Sequence, residues 1–344
     1  MHPLFQNTPP AFHSFGMTHA DALTVHPLED TCVLVATGED VLSFLQGQIT
    51  NDLVGKGLEA ACLAGYCTAQ GRLLATGVFV QLPESTSGTS SPTVAILLRK
   101  DIAAAVTKRL SMFVLRAKVK ITPANIEVVG IEAASDKLDM ITSALDHALP
   151  LTPWQSMHTT SGTWVAAPAK EGTHRWWWLA AETGADSKDG KTSPQTTEFK
   201  FAAPESWCST DIKLGIPWIE AKTQDLFIPQ TLNLDLIEGV SFTKGCYPGQ
   251  EIVARSHYRG TLKRRMALGR VDMPCDANIV PGVDMYEGDA PCGRVINISQ
   301  AGQTSWLLFE APFDAMDRDA LAIGTADGPR VILEELPYAI RSGS

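Results

Sequence analysis

Residues 244–251 read Lys-Gly-Cys-Tyr-Pro-Gly-Gln-Glu, and the segment continues through Arg255 to Tyr258-Arg259-Gly260. It brings together a thiol, a lysine, a carboxylate and two arginines around glycines and a proline, which favour a tight turn. Pro248 suits the first turn of a helix, and residues 250–258 are rich in helix formers. We therefore predict a turn followed by a helix, with Cys246 just before the helix N-terminus.

This arrangement indicates chemistry rather than packing alone. A helix N-terminus and a nearby lysine both favour the thiolate form of a cysteine, so Cys246 is predicted to be a functional thiol. Glu251 and Arg255 are four residues apart and share one helix face, where they pair with each other or with a ligand. The alternative is an inert cysteine beside an ordinary exposed ion pair, which the rest of the segment makes less attractive.

Composition narrows the class of protein. The 344 residues are 44% hydrophobic and 19% charged, which is typical of a globular chain of more than one domain. A formal net charge of -10 argues against broad binding to nucleic acid or anionic membrane, although Lys263-Arg264-Arg265 forms a local basic excess. No apolar run approaches the ~20 residues that a membrane span needs, and the N-terminus shows no targeting pattern.

Cysteine usage points to a reducing compartment. The seven cysteines are odd in number and form no Cys-x-x-Cys pair, which fits neither a disulfide framework nor a zinc ribbon. We therefore expect reduced thiols, a cytoplasmic location and no metal site.

Hydrophobic patterning predicts an α+β fold. An order of strand, helix, paired strands, helix and strand recurs loosely in both halves, and short strands between Gly and Pro turns follow residue 260. The predicted organisation is a flexible leader (1–30), two α+β domains (31–125 and 126–260) and a small C-terminal β domain (261–344). Within the first domain, Asp40 is predicted to cap a helix that begins at Val41.

The segment that ends at Gly260 resembles the signature of the YgfZ family, whose members bind folate, support iron–sulfur enzymes and are often labelled tRNA-modifying. This family is related to the aminomethyltransferase (T-protein) of the glycine cleavage system. Further similarity lies in four blocks: Phe-Leu-Gln-Gly-Gln-Ile-Thr-Asn-Asp-Leu (44–53), Gln-Gly-Arg-Leu-Leu-Ala (70–75), Leu-Gly-Ile-Pro (214–217) and Ile-Pro-Gln-Thr-Leu-Asn-Leu-Asp (228–235).

The resemblance implies two ferredoxin-like, T-protein-type α+β domains and a C-terminal β-barrel-like domain around a central pocket for tetrahydrofolate or a derivative. It also implies transient contact with iron–sulfur client or assembly proteins, without stable membrane association. Positive side chains are expected at the glutamate tail of folate, and Glu251 at the pterin N–H groups. The expected folate-binding residues are Lys244, Gln250, Glu251, Arg255, Tyr258, Arg259, Gln48, Asn51 and Asp52.

One departure separates this chain from the aminomethyltransferases. These enzymes carry an acidic residue just after the turn that matches Gly71, whereas residues 72–80 here contain no Asp or Glu. The expected function is therefore a folate-binding factor that supports assembly or repair of iron–sulfur enzymes through Cys246. The alternative is a folate-dependent one-carbon transferase, similar to the aminomethyltransferases and linked to tRNA modification. Independent turnover is left open.

Overall fold

A computed structural model describes residues 22–83, 91–145, 147–180, 200–258, 262–274, 278–318 and 320–340. Arg259 and most of the predicted leader lie outside these residues. Within the described part of the chain, no helix is long and apolar enough to cross a membrane.

The described residues form seventeen strands and six α-helices. The strands are β1 (Thr24–Pro27), β2 (Thr31–Thr37), β3 (Cys62–Cys67), β4 (Leu73–Leu82), β5 (Thr93–Arg99), β6 (Lys120–Ala124), β7 (Val128–Ala134), β8 (Ser156–Thr159), β9 (Gly162–Ala167), β10 (Thr173–Ala180), β11 (Lys200–Phe201), β12 (Arg264–Val271), β13 (Asp284–Glu287), β14 (Ala290–Ala301), β15 (Thr304–Pro312), β16 (Leu321–Ile323) and β17 (Ile332–Glu334). The helices are α1 (Val41–Gln46), α2 (Lys100–Phe113), α3 (Leu138–Leu145), α4 (Pro204–Lys213), α5 (Gln250–Tyr258) and α6 (Phe313–Asp317).

The first sheet has the strand order β3-β4-β5-β2-β6, with every neighbour antiparallel. Its strands are apolar because both faces are covered, and β3 and β5 are buried along nearly their whole length. Helix α2 contacts this sheet through Ile102, Val106 and Leu110, which recur at helical spacing. Helix α1 begins at Val41 as predicted, but Asp40 makes no capping bond, because its carboxylate accepts from the Lys118 N–H at 2.8 Å.

The second sheet has the order β11-β1-β7-β10-β9-β8, in which only the β1–β11 pair is parallel. Strand β10 carries three tryptophans in succession, and alternation along the strand sends them into two different cores. Trp177 packs in the large core shared with the first sheet, whereas Trp176 and Trp178 pack in the second sheet's own core. These tryptophans are therefore core residues, as their strand position predicts.

The third sheet is antiparallel, with the order β16-β13-β14-β15-β12-β17. Its core is separate from the other two and is built around Phe309, Val295 and Met285. The predicted α+β fold with a β-rich C-terminal part is confirmed by these three sheets.

The N-terminal boundary needs a correction. Residues 1–30 are predicted as a leader, yet β1 lies in this range and pairs with both β7 and β11 of the second sheet. Leu23 and Val25 are fully buried there, which explains why the segment is ordered. The division of the remaining chain at residues 125 and 260 stays a proposal.

Candidate functional site

The motif loop, residues 244–249, lies against the first sheet, and α5 begins at Gln250 as predicted. Gly249 has φ +80°, and a Cβ atom on it would lie 2.4 Å from the Cα atom of Gly71 and 2.6 Å from the Thr68 carbonyl oxygen. The turn at Gly71 and the turn of the motif are thus in direct backbone contact. Only glycine permits both the positive φ and this approach.

Lys244 anchors the other end of the motif loop. Its side chain is buried, and its ammonium group donates to the carbonyl oxygens of Gln46 at 2.5 Å, Ile49 at 2.6 Å and Asn51 at 2.9 Å. Burial lowers the pKa of Lys244 to about 8. An ammonium group has three N–H donors, and all three are used here. The predicted role of Lys244 at a folate carboxylate is therefore replaced by a structural one.

Cys246 projects from this anchored loop. Tyr247 is buried beside it, and burial raises the pKa of the tyrosine. Gly245 and Cys246 are both exposed. The lysine on one side and the Gly249 turn on the other thus hold the backbone, and the thiol faces solvent between them. The exposure of Cys246 is a structural finding that the sequence does not predict, and the role of the thiol stays a prediction.

The amide-rich block of the first domain supports the motif loop. Asn51 donates to the carbonyl oxygens of Leu63 at 2.7 Å and Glu238 at 2.6 Å, so its amide nitrogen is fully used. Asp52 accepts from the Gly55 N–H at 3.0 Å and from Gln46, and the backbone bond is the main reason its pKa is lowered. These two residues shape the loop that binds Lys244, which is a different role from the predicted contact with folate.

Gln48 differs from its neighbours. Its Oε1 atom is buried and has no hydrogen-bond partner among the described residues. A buried acceptor without a donor is costly, so this oxygen is a position where a ligand or water would be stabilising.

The predicted residues on α5 form an exposed surface. Glu251, Arg255 and Tyr258 are exposed, and no ion pair joins Glu251 to Arg255 within the described part of the chain. His257 stacks on Phe242 with ring centroids 3.7 Å apart. Gln250 is partly buried at the first position of the helix. These side chains are available to a partner, but they do not enclose a cavity.

A large cavity lies elsewhere, where the three sheets meet, and it is here called the three-sheet cavity. Its volume is about 1190 Å³. The second sheet and α4 contribute Val25, Val129 and Ile212, while the third sheet contributes residues 297–300. Its apolar walls and its size are those of a site for a small organic molecule.

The polar end of the three-sheet cavity is built around Arg99, the last residue of β5. Its guanidinium group pairs with Asp30, lies 3.7 Å from the Cys208 sulfur and sits over the Trp218 ring at 5.4 Å. The Nε atom of Arg99 is buried without a partner among the described residues. Burial raises the pKa of the Cys208 thiol to about 12, so this cysteine is not an active nucleophile.

Glu220 brings a carboxylate to the same end. It accepts a hydrogen bond at 2.8 Å from Asn297, whose amide also bonds the backbone of Trp218 at 2.8 and 2.9 Å. Burial raises the pKa of Glu220. Asn297 thus connects the third sheet to the segment that contains Trp218 and Glu220. The Glu220 carboxylate is a hydrogen-bond acceptor that is partly shielded from water.

None of the predicted folate-binding residues that the structure describes lines the three-sheet cavity. Gln48, Asn51 and Asp52 are expected to line one cavity together with the motif. The three-sheet cavity is not that cavity, because neither these residues nor the motif residues line it. Arg99 and Glu220 were missed by sequence reasoning. A charged residue that ends an apolar strand, as Arg99 ends β5, is the signal that indicates such a position.

The local basic excess of the sequence is not a basic patch. Arg264 pairs with Glu310, Arg265 with Asp235, and Arg270 with Glu334 and Asp272. These ion pairs neutralise the three arginines, and the expectation that the chain does not bind nucleic acid stays a prediction. Across the described residues, no group of three or more His, Cys, Asp or Glu side chains is arranged to hold a metal ion.

Comparisons with known proteins give one result for the fold and one for the family. No family model matches the chain. Over 95% of this chain and 88% of the other, the fold is similar to that of the glycine cleavage system aminomethyltransferase T from Bartonella henselae, with a TM-score of 0.63 at 9% identity. A chain of heterotetrameric sarcosine oxidase from Corynebacterium sp. U-96 covers 46% of this chain with a TM-score of 0.24, which carries no argument.

A similar sequence gives the family. The tRNA-modifying protein YgfZ of Edwardsiella ictaluri (strain 93-146) is 31% identical over 248 residues, which is 71% of this chain and 70% of that protein. This relationship agrees with the motif at residues 244–260 and with the aminomethyltransferase fold. The chain therefore belongs to the YgfZ family.

Proposed function

We propose that this protein binds a tetrahydrofolate in the three-sheet cavity and supports the assembly or repair of iron–sulfur enzymes through the exposed thiol of Cys246. The carrying observation is the separation of two features on one fold: a large, partly open cavity with a carboxylate and a guanidinium group, and a thiol on an anchored outer loop. One holds a small molecule, and the other is open to a protein partner.

The cavity residues fit a folate. Its apolar walls suit the pterin and aminobenzoyl rings, and Glu220 supplies an acceptor for pterin N–H groups. The unpartnered Nε of Arg99 supplies a buried donor, and the exposed Lys100 at the cavity mouth supplies a charge for the glutamate tail. This assignment replaces the motif as the centre of folate binding.

Cys246 suits a transient role at a client enzyme. A cluster normally takes four thiolate ligands, and a single thiol on one chain does not supply them. We therefore propose temporary ligation or redox exchange during contact with a client, and we include tRNA-modifying iron–sulfur enzymes among the clients because the curated relative is called tRNA-modifying. The six described cysteines are free, which supports a cytoplasmic setting.

The alternative of an aminomethyltransferase-like enzyme shares the fold of this chain, but the acidic residue of those enzymes has no counterpart here. Residues 72–80 contain no Asp or Glu, and this region forms β4 of the first sheet. Purified protein that turns over methylene-tetrahydrofolate would overturn this preference.

Calorimetric titration with tetrahydrofolate tests the folate assignment. Glu220→Ala removes a hydrogen bond to a charged group, so the Kd is expected to rise about 10-fold or more, equivalent to about 1.5–3 kcal/mol. The matched control Glu251→Ala, on the exposed face of α5, is expected to bind as the wild type does. The opposite pattern would return folate to the motif, and no binding by the wild type would remove folate from the proposal.

A second experiment tests the thiol. Cys246→Ala is expected to bind tetrahydrofolate normally and to fail in restoring iron–sulfur enzyme activity to cells that lack this protein. Cys292→Ala is the matched control, because Cys292 is a free, partly buried cysteine on β14 of the third sheet and is not part of the motif loop. Full restoration by Cys246→Ala would contradict the proposed role of the thiol.

A further inference from the structure

Helix α2 ends in an apolar surface that no other described element covers. Its inner face is buried, but Met112 is 66% exposed, Phe113 is 46% exposed and Leu115 is 88% exposed. These three side chains, here called the apolar tip, lie within four residues of one another at the end of the helix. Exposed apolar side chains that cluster in this way are typical of interaction sites, whereas single exposed ones are common.

The backbone holds the apolar tip in one arrangement. Leu115 has φ +39°, a left-handed conformation that leucine rarely adopts. Hydrogen bonds on both sides fix the turn: the Val114 N–H donates to Ser111, and the Ala117 N–H donates to the Val114 carbonyl at 2.7 Å. Leu115 thus combines an unfavourable backbone conformation with an almost fully exposed apolar side chain. Such strain is typical of functional positions.

Charge around the apolar tip is positive. Residues 102–126 contain five Lys or Arg and no Asp or Glu, which gives this segment a formal charge of +5. Because the whole chain has a formal net charge of -10, the rest of the chain carries -15. Lys118 pairs with Glu39, whereas Lys108, Arg116 and Lys120 are exposed and form no ion pair with another described residue. The apolar centre is therefore bordered by free positive charges, which is the layout of an interface core with a polar rim.

We propose that the apolar tip is the docking site for a partner protein that offers an apolar pocket bordered by Asp and Glu. A shaped pocket gains from a backbone that already holds Leu115 in one conformation, because less backbone freedom is lost on binding. A lipid bilayer offers no shaped pocket, so binding to it would not depend on the conformation of Leu115. An extended anionic surface, whether membrane or RNA, would also meet Glu39 and Asp40, which contact Lys118 next to the tip.

Photocrosslinking in living cells tests the proposal with the full chain. A benzophenone amino acid at position 115 is the probe, and the same residue at Ile332, which is 40% exposed on β17 of the third sheet, is the control. One discrete protein adduct is expected at 115 and none at 332. Triple charge reversal at Lys108, Arg116 and Lys120 is expected to reduce the adduct at least 5-fold.

The captured protein is then purified, and its binding to the unlabelled chain is measured. A Kd that rises about 10-fold with Leu115→Ser, and a crosslinked peptide that lies in an apolar pocket bordered by acidic residues, support the proposal. Leu115→Ala serves as a second variant, and thermal unfolding verifies that both variants remain folded. Absence of an adduct overturns the proposal, as does an adduct with lipid, with RNA or with a second copy of this chain.

Discussion

Replacing Gly249 by alanine is expected to disrupt the motif loop, whereas the same replacement at Gly245 is expected to be tolerated. Both glycines belong to the same short motif and both gain one methyl group. At Gly249 the backbone has φ +80°, and the new methyl carbon would lie 2.4 Å from the Gly71 Cα atom. At Gly245 nothing lies within 4 Å of the new carbon. The pair therefore isolates the effect of local geometry.

The magnitude follows from two contributions. A left-handed conformation costs an L-residue about 1–2 kcal/mol relative to glycine. Relieving a backbone overlap adds about 1–3 kcal/mol, because neither Gly71 nor Thr68 presents a flexible side chain that can move aside. We expect Gly249→Ala to lower the free energy of unfolding by about 2–5 kcal/mol. Gly245→Ala is expected to change it by less than about 0.5 kcal/mol.

Urea unfolding measures the stability difference, and the rate of reaction of Cys246 with a disulfide reagent measures the loop. The wild-type rate is defined after subtracting that of Cys246→Ser. Displacement of the Gly249 turn is expected to change this rate in Gly249→Ala and to leave it unchanged in Gly245→Ala. Equal stability and equal thiol reactivity in the two variants would refute the contact between the Gly71 and Gly249 turns.

Three further perturbations are testable by urea unfolding. Lys244→Met leaves three buried carbonyl oxygens without their donor and is expected to lower the free energy of unfolding by about 2–4 kcal/mol. Lys263→Met, at an exposed lysine, is the control, and equal stabilities of the two variants would contradict the anchoring role of Lys244. Burial, aided by Arg175, lowers the pKa of His26 to about 4, so below pH 6.5 the unfolded chain binds a proton that the folded chain does not bind. The free energy of unfolding is expected to fall by up to about 3 kcal/mol as the pH drops from 6.5 to 4, and a similar fall in His26→Asn would disprove this. Gln48→Met removes a buried unpartnered oxygen and is expected to stabilise the ligand-free protein by about 1 kcal/mol; a loss of stability would show that this oxygen is satisfied.

The local elements are predictable because they depend on neighbouring residues. Helix α5 follows from its helix-forming residues and begins at the expected Gln250, although Pro248 lies in the preceding turn and not in the first turn of the helix. The alternation of Trp176, Trp177 and Trp178 between two cores follows from the two-residue period of a strand. In these cases a single short segment contains the physical information.

The roles of polar residues are harder to predict, because their partners come from distant segments. Lys244 looks like a ligand contact until its ammonium group is found on carbonyl oxygens almost 200 residues earlier in the chain. Arg99, Asp30 and Glu220 meet at the three-sheet cavity from three separate segments, and no spacing in the sequence signals this. Buried polar groups must find partners, but the sequence does not say which ones.

The position of β1 has a consequence for folding during synthesis. Strand β1 is synthesised before both of its partners: β7 follows about 100 residues later and β11 about 175 residues later. At about 5–20 residues per second, β1 waits roughly 5–20 s for β7. Four of the five strands of the first sheet lie between residues 31 and 99, so most of this sheet can form during this interval. An apolar strand thus remains unpaired beside a folded unit, and a chaperone that covers it would raise the yield of native protein.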